Sequence, residues 1–304
     1  MSFPLLSLPC LVLEEIIKTL NPMEIIFLVQ TSQGARHRVL RYTKSHVIEL
    51  LIADSYVGIL CKDQDTFRVK TFTPFSQFNS SWTLQTIIPI QNDSDVSTQK
   101  ARAFKKVLKI LEKTFRIKKV SFETKDDSSF SAVHVLEYCV SKNMKIGRVN
   151  WPTFSKNNEM AKRILMASKD ASYLNIGGDS PSSMRFDHFH LFRMDFLRIE
   201  DAWWLTVENI VDLRNCKRIL LGCVRDKLNI NKILLEYMKN PGELQEIQMF
   251  CFDHITPEEM VKNLKIVRSE KSNVIQKYWF NANNEIPFSA MVLDMETVVI
   301  KRET

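Results

Sequence analysis

Phe196-Leu197-Arg198-Ile199-Glu200-Asp201-Ala202-Trp203-Trp204-Leu205-Thr206-Val207-Glu208-Asn209-Ile210 holds a strand, a turn and the start of a helix in one short run. Phe196–Ile199 is a strand candidate with Leu197 and Ile199 apolar at alternate positions, and Thr206 is placed to cap a helix over Val207–Arg214. Trp203 and Trp204 are neighbours, so their side chains diverge and at most one joins the core readily. Working outward, further strands are predicted at Lys119–Glu123, Arg148–Trp151, Tyr173–Ile176, Arg218–Leu221 and Glu246–Phe250, with centres 22 to 28 residues apart. Helices are predicted between them at Ala132–Asn143, Asn158–Ser168, Asn229–Lys239 and Pro257–Leu264, the last opened by Thr256 as cap and Pro257 at the first position. A unit this short affords one strand, one helix and tight connections, which places successive strands side by side. The pattern reads as a degenerate βα array of leucine-rich-repeat type, without the strict Asn or Cys ladder. A doubly wound α/β sheet is the alternative. After the array, Val274–Phe280 and Ala290–Lys301 flank the turn-prone Asn281-Ala282-Asn283-Asn284 and predict a C-terminal β hairpin that covers the last edge.

The chain begins differently. Phe3-Pro4-Leu5-Leu6-Ser7-Leu8-Pro9 leads into Leu11, Val12, Leu13, Ile16, Ile17 and Leu20, and Asn21-Pro22-Met23-Glu24 leads into Ile25, Ile26, Leu28 and Val29. Proline at a first helical position loses no hydrogen bond, and Asn21 with Glu24 has the form of a capping box. Two such short helices cannot bury all these side chains between themselves, so something else covers them. Between this segment and the array, His46–Ala53, Tyr56–Cys61, Phe67–Phe72 and Trp82–Ile90 have strand character and predict a small antiparallel β region. The expected organisation is therefore residues 1–45, a β connector over 46–98, and a βα domain over 99–304. The class is α+β with an α/β array.

Composition excludes several functions. Apolar residues make up 45% and charged residues 25% of the 304, as in ordinary globular proteins. No apolar run reaches the length of a membrane span, and the N-terminus lacks the pattern of a signal peptide. The six cysteines form no Cys-x-x-Cys pair and read as small buried residues in a reducing compartment, which places the protein in the cytoplasm or nucleus. With only 7 glycines and no Gly-rich phosphate loop, the chain lacks the close backbone approach a nucleotide needs, and no cofactor is expected.

The net charge of +7 is local. Lys100, Arg102, Lys105, Lys106, Lys109, Lys113, Arg116, Lys118 and Lys119 face one acid, Glu112, within a segment whose Ala101, Phe104, Val107, Leu108, Leu111 and Phe115 mark a helix's apolar stripe. A solvated face or an acidic protein partner accounts for these lysines better than nucleic acid does. His188 and His190 form the sole close histidine pair, with Asp195 or Cys216 as conceivable third ligands; surface histidines are the simpler reading, and no metal site is expected. No nucleophile elbow or zinc-protease motif occurs, so no enzymatic activity is expected.

The N-terminal segment resembles an F-box. Leu8-Pro9, the Leu13, Ile16, Ile17 and Leu20 spacing, Asn21-Pro22, and Ile25 with Leu28 follow that family's pattern, and Arg36, His37, Arg38 and Leu40 take the place of its third helix. The large residue the family often carries there is replaced by Arg38-Val39. The resemblance implies docking onto the Skp-type adaptor of a cullin-based ubiquitin ligase through Leu8, Pro9, Leu13, Ile16, Ile17, Pro22, Ile25 and Leu28. The competing reading is a helical hairpin folded onto its own domain. Residues 183–250 look like the F-box-associated domain of type 2, abundant in nematode F-box proteins. There a strand precedes an acidic residue, Trp, Thr and a short helix, followed by Cys and another strand; Cys216 and Arg218-Ile219-Leu220-Leu221 take those last places, and Tyr237 stands where the family often has Trp. Together the two resemblances imply a non-catalytic substrate-recognition subunit of an SCF-type ligase. Trp203 and Trp204 are its candidate substrate contacts, although packing of one repeat against its neighbour is the simpler account of both.

Overall fold

A computed structural model describes residues 7–53, 56–61, 64–70, 96–124, 130–152, 157–178, 184–224, 228–251, 255–272, 275–283, 285–294 and 296–303. The expected strand Trp82–Ile90 lies outside the described residues, as do Phe3–Leu6 of the N-terminal motif. The architecture is mixed α+β: three N-terminal helices, then a β-rich region in which strands and helices alternate. The chain divides into two compact units, residues 1–124 with 128–147, and residues 125–127 with 148–304.

The first unit opens with α1 (Cys10–Thr19), α2 (Pro22–Thr31) and α3 (Gln33–Val39). The capping box at α2 forms as the sequence prescribes: the Glu24 amide donates to Asn21 Oδ1 at 3.0 Å, and the Asn21 amide to Glu24 Oε2 at 2.8 Å. Next come β1 (Val47–Ala53), β2 (Tyr56–Cys61), β3 (Gln64–Lys70), α4 (Val96–Thr114), β4 (Arg116–Glu123) and α5 (Phe130–Ser141). The first three strands form the expected antiparallel meander, and β1 also pairs in parallel with β4. The α4 stripe is buried as its spacing requires: Ala101, Phe104, Val107, Leu108, Leu111 and Phe115 all lie inside, with Val120 and Phe122 of β4. Lys44 donates to the carbonyls of Glu112 and Phe115, supplying positive charge and donors where α4 leaves its last carbonyls unpaired.

Two of the clustered cations have a structural task. Lys118 Nζ and Lys119 Nζ lie 3.1 and 2.8 Å from the Glu49 carboxylate of β1. Burial works against that carboxylate, but the hydrogen bonds from Lys119 and Lys118 outweigh it and hold its acid below the usual range. A depressed carboxyl stabilises the fold above its unfolded pKa and loses that contribution as pH falls through the folded one. Glu49→Gln is therefore expected to lower stability by about 1 kcal/mol at neutral pH. In melting curves the gap to wild type closes as the pH drops below the ordinary carboxylate range. A gap constant down to pH 3 would mean that the charge of Glu49 is not what matters.

The second unit is built from β5 (Ile146–Trp151), α6 (Asn158–Ser168), β6 (Tyr173–Ile176), β7 (Phe196–Ile199), α7 (Val207–Asp212), β8 (Arg218–Val224), α8 (Ile230–Lys239), β9 (Glu246–Cys251) and α9 (Pro257–Met260). Strands β5 to β9 are parallel and follow one another in sequence order across the sheet. Their register aligns Val149, Leu174, Leu197, Ile219 and Ile247 in one inward row, and Trp151, Ile176, Ile199, Leu221 and Met249 in the next. All ten side chains are buried, the signature of a sheet face roofed by helices. Asn157, Thr206 and Asn229 cap α6, α7 and α8 with their side-chain oxygens.

Three expectations need correction. The C-terminal hairpin is a four-stranded antiparallel meander of β10 (Ile266–Lys271), β11 (Ile275–Asn281), β12 (Pro287–Leu293) and β13 (Thr297–Arg302), with β13 joined to β9. Ala290–Lys301, read as one alternating strand, is broken by a turn in which Asp294 takes φ 50°, and β10 exposes every residue, so it carries no alternating run of its own. The last array helix stops at Met260 instead of Leu264 because the Asn231 amide takes the carbonyls of Met260 and Lys262, each at 2.8 Å. Thr256, read as its side-chain cap, makes no such bond. The cysteines are not uniformly buried: Cys139 and Cys216 are, whereas Cys10 at the start of α1 and Cys223 at a bulge in β8 are exposed. Burial pushes both inner thiols up to about 12, so they stay protonated and inert.

Candidate protein-docking surfaces

On α1, residues Leu13 and Ile17 face inward and are buried, and the Ile17 carbonyl lies 3.0 Å from His46 Nε2 beside the 3-10 turn Thr43–Ser45. On α2, Ile25, Ile26 and Val29 are buried. Of the remaining adaptor candidates, Leu8, Ile16, Pro22 and Leu28 are half-buried and Pro9 is exposed. Three large apolar residues that the sequence reading left off its contact set stand furthest out: Leu11 is 78% exposed, Val12 45% and Phe27 43%. The signal for them was available in the helical wheel. At 100° per residue, Leu11 and Val12 fall on the side of α1 away from Leu13 and Ile17, and Phe27 falls opposite the Ile25–Val29 face of α2. A helix apolar on both sides has a second face to cover.

The tryptophan pair divides as adjacent side chains must. Trp204 is buried against Phe189, ring centres 5.9 Å apart, while Trp203 is half-buried. Both indoles are tied to one residue: Trp203 Nε1 donates to Asp201 Oδ2 and Trp204 Nε1 to the Asp201 carbonyl, each at 3.1 Å. Trp204 thus belongs to the aromatic cluster of Phe186, Phe189 and Phe192, leaving Trp203 alone able to meet a partner. Tyr237 is fully buried and its hydroxyl donates to the Ile210 carbonyl at 2.6 Å, a packing and hydrogen-bonding role.

On α4, Arg102, Lys106, Lys109 and Lys113 are exposed along one stripe, with Ile110 also 45% exposed among them. Lys105 instead lies over the Tyr138 ring, 5.7 Å from its centre. His188 precedes a 3-10 turn (Phe189–Leu191) and His190 is its middle residue, so the two share no strand face, and their ring centres are 6.1 Å apart. Their conceivable third ligands are engaged elsewhere: Asp195 bonds Lys217 at 2.8 Å, and Cys216 is inside the core. Among the described residues no cluster of three metal-ligating side chains occurs, and no helix is long and apolar enough to cross a membrane.

Comparison with known proteins yields one relative of note. The chain is 25% identical over 278 residues to the Skn-1 dependent zygotic transcript 15 protein of Caenorhabditis elegans, an alignment covering 79% of this chain and 77% of that protein. No family model matches the chain, and no solved structure matches it.

Proposed function

We propose that the chain is a substrate-recognition subunit of an SCF-type cullin ubiquitin ligase. Its three N-terminal helices are an F-box that docks on a Skp-type adaptor. Its second unit is a degenerate leucine-rich-repeat-like array, of the F-box-associated type 2 kind, that holds a protein substrate. The observation that carries this reading is the outward apolar side of α1 and α2, with Leu11, Val12 and Phe27 exposed. Each large side chain contributes about 1.5–3 kcal/mol when fully covered, and the surplus over the cost of association appears as affinity. The subunit performs no chemistry itself. It brings substrate lysines to a ubiquitin-charged enzyme that the cullin scaffold supplies, in the cytoplasm or nucleus.

A second reading has an observation of its own. Leu13, Ile17 and Ile25 are buried within the first unit, as in a hairpin folded onto its own domain, and an interaction scaffold outside any ligase fits that packing. A nucleic-acid role through α4 has only the exposed cations in its favour.

Co-expression with the Skp-type adaptor decides between them. Wild type is expected to recover adaptor in equal amount. Leu11→Asp/Phe27→Asp and Leu8→Ala/Pro9→Ala are each expected to lose most of it, the first by about a hundredfold or more, because a carboxylate cannot be buried there unpaired. Both variants should melt like wild type. No adaptor with wild type, or equal recovery from all three proteins, leaves only the scaffold reading.

A further inference from the structure

Every residue of β10 is exposed, Val267 by 65% and Ile266 by 42%. Among the described residues β10 ends the strand order of its sheet, with β11 on one side and no strand on the other. The ladder decides which groups that open edge offers. The Ser272 amide donates to the Ile275 carbonyl at 2.8 Å, so Ser272 turns toward β11. Residues of an antiparallel strand turn alternately to either side. Glu270 and Arg268 therefore also face β11, while Ser269 and Lys271 direct their N–H and C=O groups outward. Val267 is the extra residue of a bulge, and the regular ladder ends there. The open edge is short and centred on Ser269.

Its charges say what pairs with it. Arg268 and Glu270, two residues apart on one face of the strand, meet at 3.2 Å with side chains 68% and 63% exposed. The Arg268 guanidinium also lies 4.8 Å from the centre of the Trp279 ring, which fixes its orientation. A strand that runs antiparallel to β10 and exchanges bonds with Ser269 sets its own side chains directly opposite these two charges. A second copy of β10 does so with the right signs. Paired about a two-fold axis at Ser269, Arg268 of each copy faces Glu270 of the other, and the two existing ion pairs join into one cluster of alternating sign. The neighbouring symmetric registers, centred on Arg268 or on Glu270, set like charges face to face and are disfavoured.

We propose that β10 is the contact of a symmetric dimer, formed by antiparallel pairing of two copies of the chain about Ser269, with Arg268 and Glu270 bridging across. Such a contact is isologous: it consumes the β10 edge of both copies and closes at two. A contact this short stands at the low end of interface sizes, so the dimer is weak and dissociates on dilution. The proposal goes beyond the ligase reading and does not rest on it. Sedimentation equilibrium of the full chain, from micromolar to millimolar concentration, is expected to show reversible dimerisation. Arg268→Glu and Glu270→Arg each place like charges opposite one another and are expected to weaken the dimer about tenfold or more. Mixed together, the two variants complement each other, and a heterodimer of near wild-type affinity is expected. The doubly exchanged Arg268→Glu/Glu270→Arg chain recovers its own dimer for the same reason. Ser269→Pro removes the central donor at an edge position where the fold tolerates its loss, and it abolishes dimerisation. Melting temperatures confirm that the variants fold. The proposal is overturned by a wild type that stays monomeric, by a single reversal that dimerises like wild type, or by the absence of a heterodimer from the mixed variants. An uncharged peptide, Thr-Val-Thr-Val-Thr-Val, that dissociates the dimer as well as Ile-Val-Arg-Ser-Glu-Lys does overturns self-pairing in favour of a foreign strand. Adaptor recovery is expected to be the same from all these proteins, which keeps the outcome apart from that of the ligase reading.

Discussion

Trp151→Ala is expected to lower the unfolding free energy by about 3–5 kcal/mol, as deletion of the largest fully buried side chain in a rigid setting does. Trp151 is fully buried at the end of β5, where it begins the inward row continued by Ile176, Ile199, Leu221 and Met249. The space it leaves cannot collapse, because the backbone around it is pinned: the Gly177 amide donates to the Trp151 carbonyl at 2.7 Å. Its indole N–H has no hydrogen-bond partner among the described residues. Trp151→Phe therefore sacrifices volume but no bond, and a loss below about 2 kcal/mol is expected. Urea unfolding of the two variants measures both. Equal losses would point to the N–H, and a loss under 1 kcal/mol for alanine would mean that the strands close over the gap.

Gly222→Ala should cost about 1–3 kcal/mol through overpacking. A Cβ at this position lies 2.3 Å from the Glu200 carbonyl oxygen and 3.1 Å from its carbon, both backbone atoms that no rotamer change can remove. The two segments are also laced together, since the Ala202 amide donates to the Gly222 carbonyl at 2.9 Å. Any displacement passes directly to Asp201, the residue that both Trp203 and Trp204 hold. A lowered melting temperature with altered tryptophan emission is the expected result. Wild-type values for both would show that the Glu200 turn yields freely.

Legibility tracked how local the determining interactions are. The strands Tyr173–Ile176 and Phe196–Ile199 stand at their predicted limits, and the capping boxes at Asn21 and Thr206 form from residues three apart. Alternation, caps and prolines act within a few residues, so the chain states them openly. By contrast β10 exposes all its side chains and is a strand only because β11 pairs with it; no pattern of its own marks it. The parallel pairing of β1 with β4 joins residues almost seventy positions apart and left no local trace. On α1 and α2 the apolar residues occupy both sides. The spacing fixed the helices, but it did not say which side would turn inward, and Leu11, Val12 and Phe27 went unselected as a result.

Sequence alone determined that strand and helix alternate through the second unit, that two short proline-marked helices stand near the N-terminus, and that the cationic charge is concentrated between Lys100 and Lys119. It also determined that one of two adjacent tryptophans must turn away from the core. Tertiary structure decided that the one inside is Trp204, through its contact with Phe189. It also decided that Arg148, Tyr173, Phe196 and Arg218, more than twenty residues apart at each step, stand in a single row. The physical reason is register. A side chain's periodicity is written along its own strand, whereas its neighbours across a sheet are chosen by hydrogen bonds to other strands, and those bonds exist only once the chain has folded.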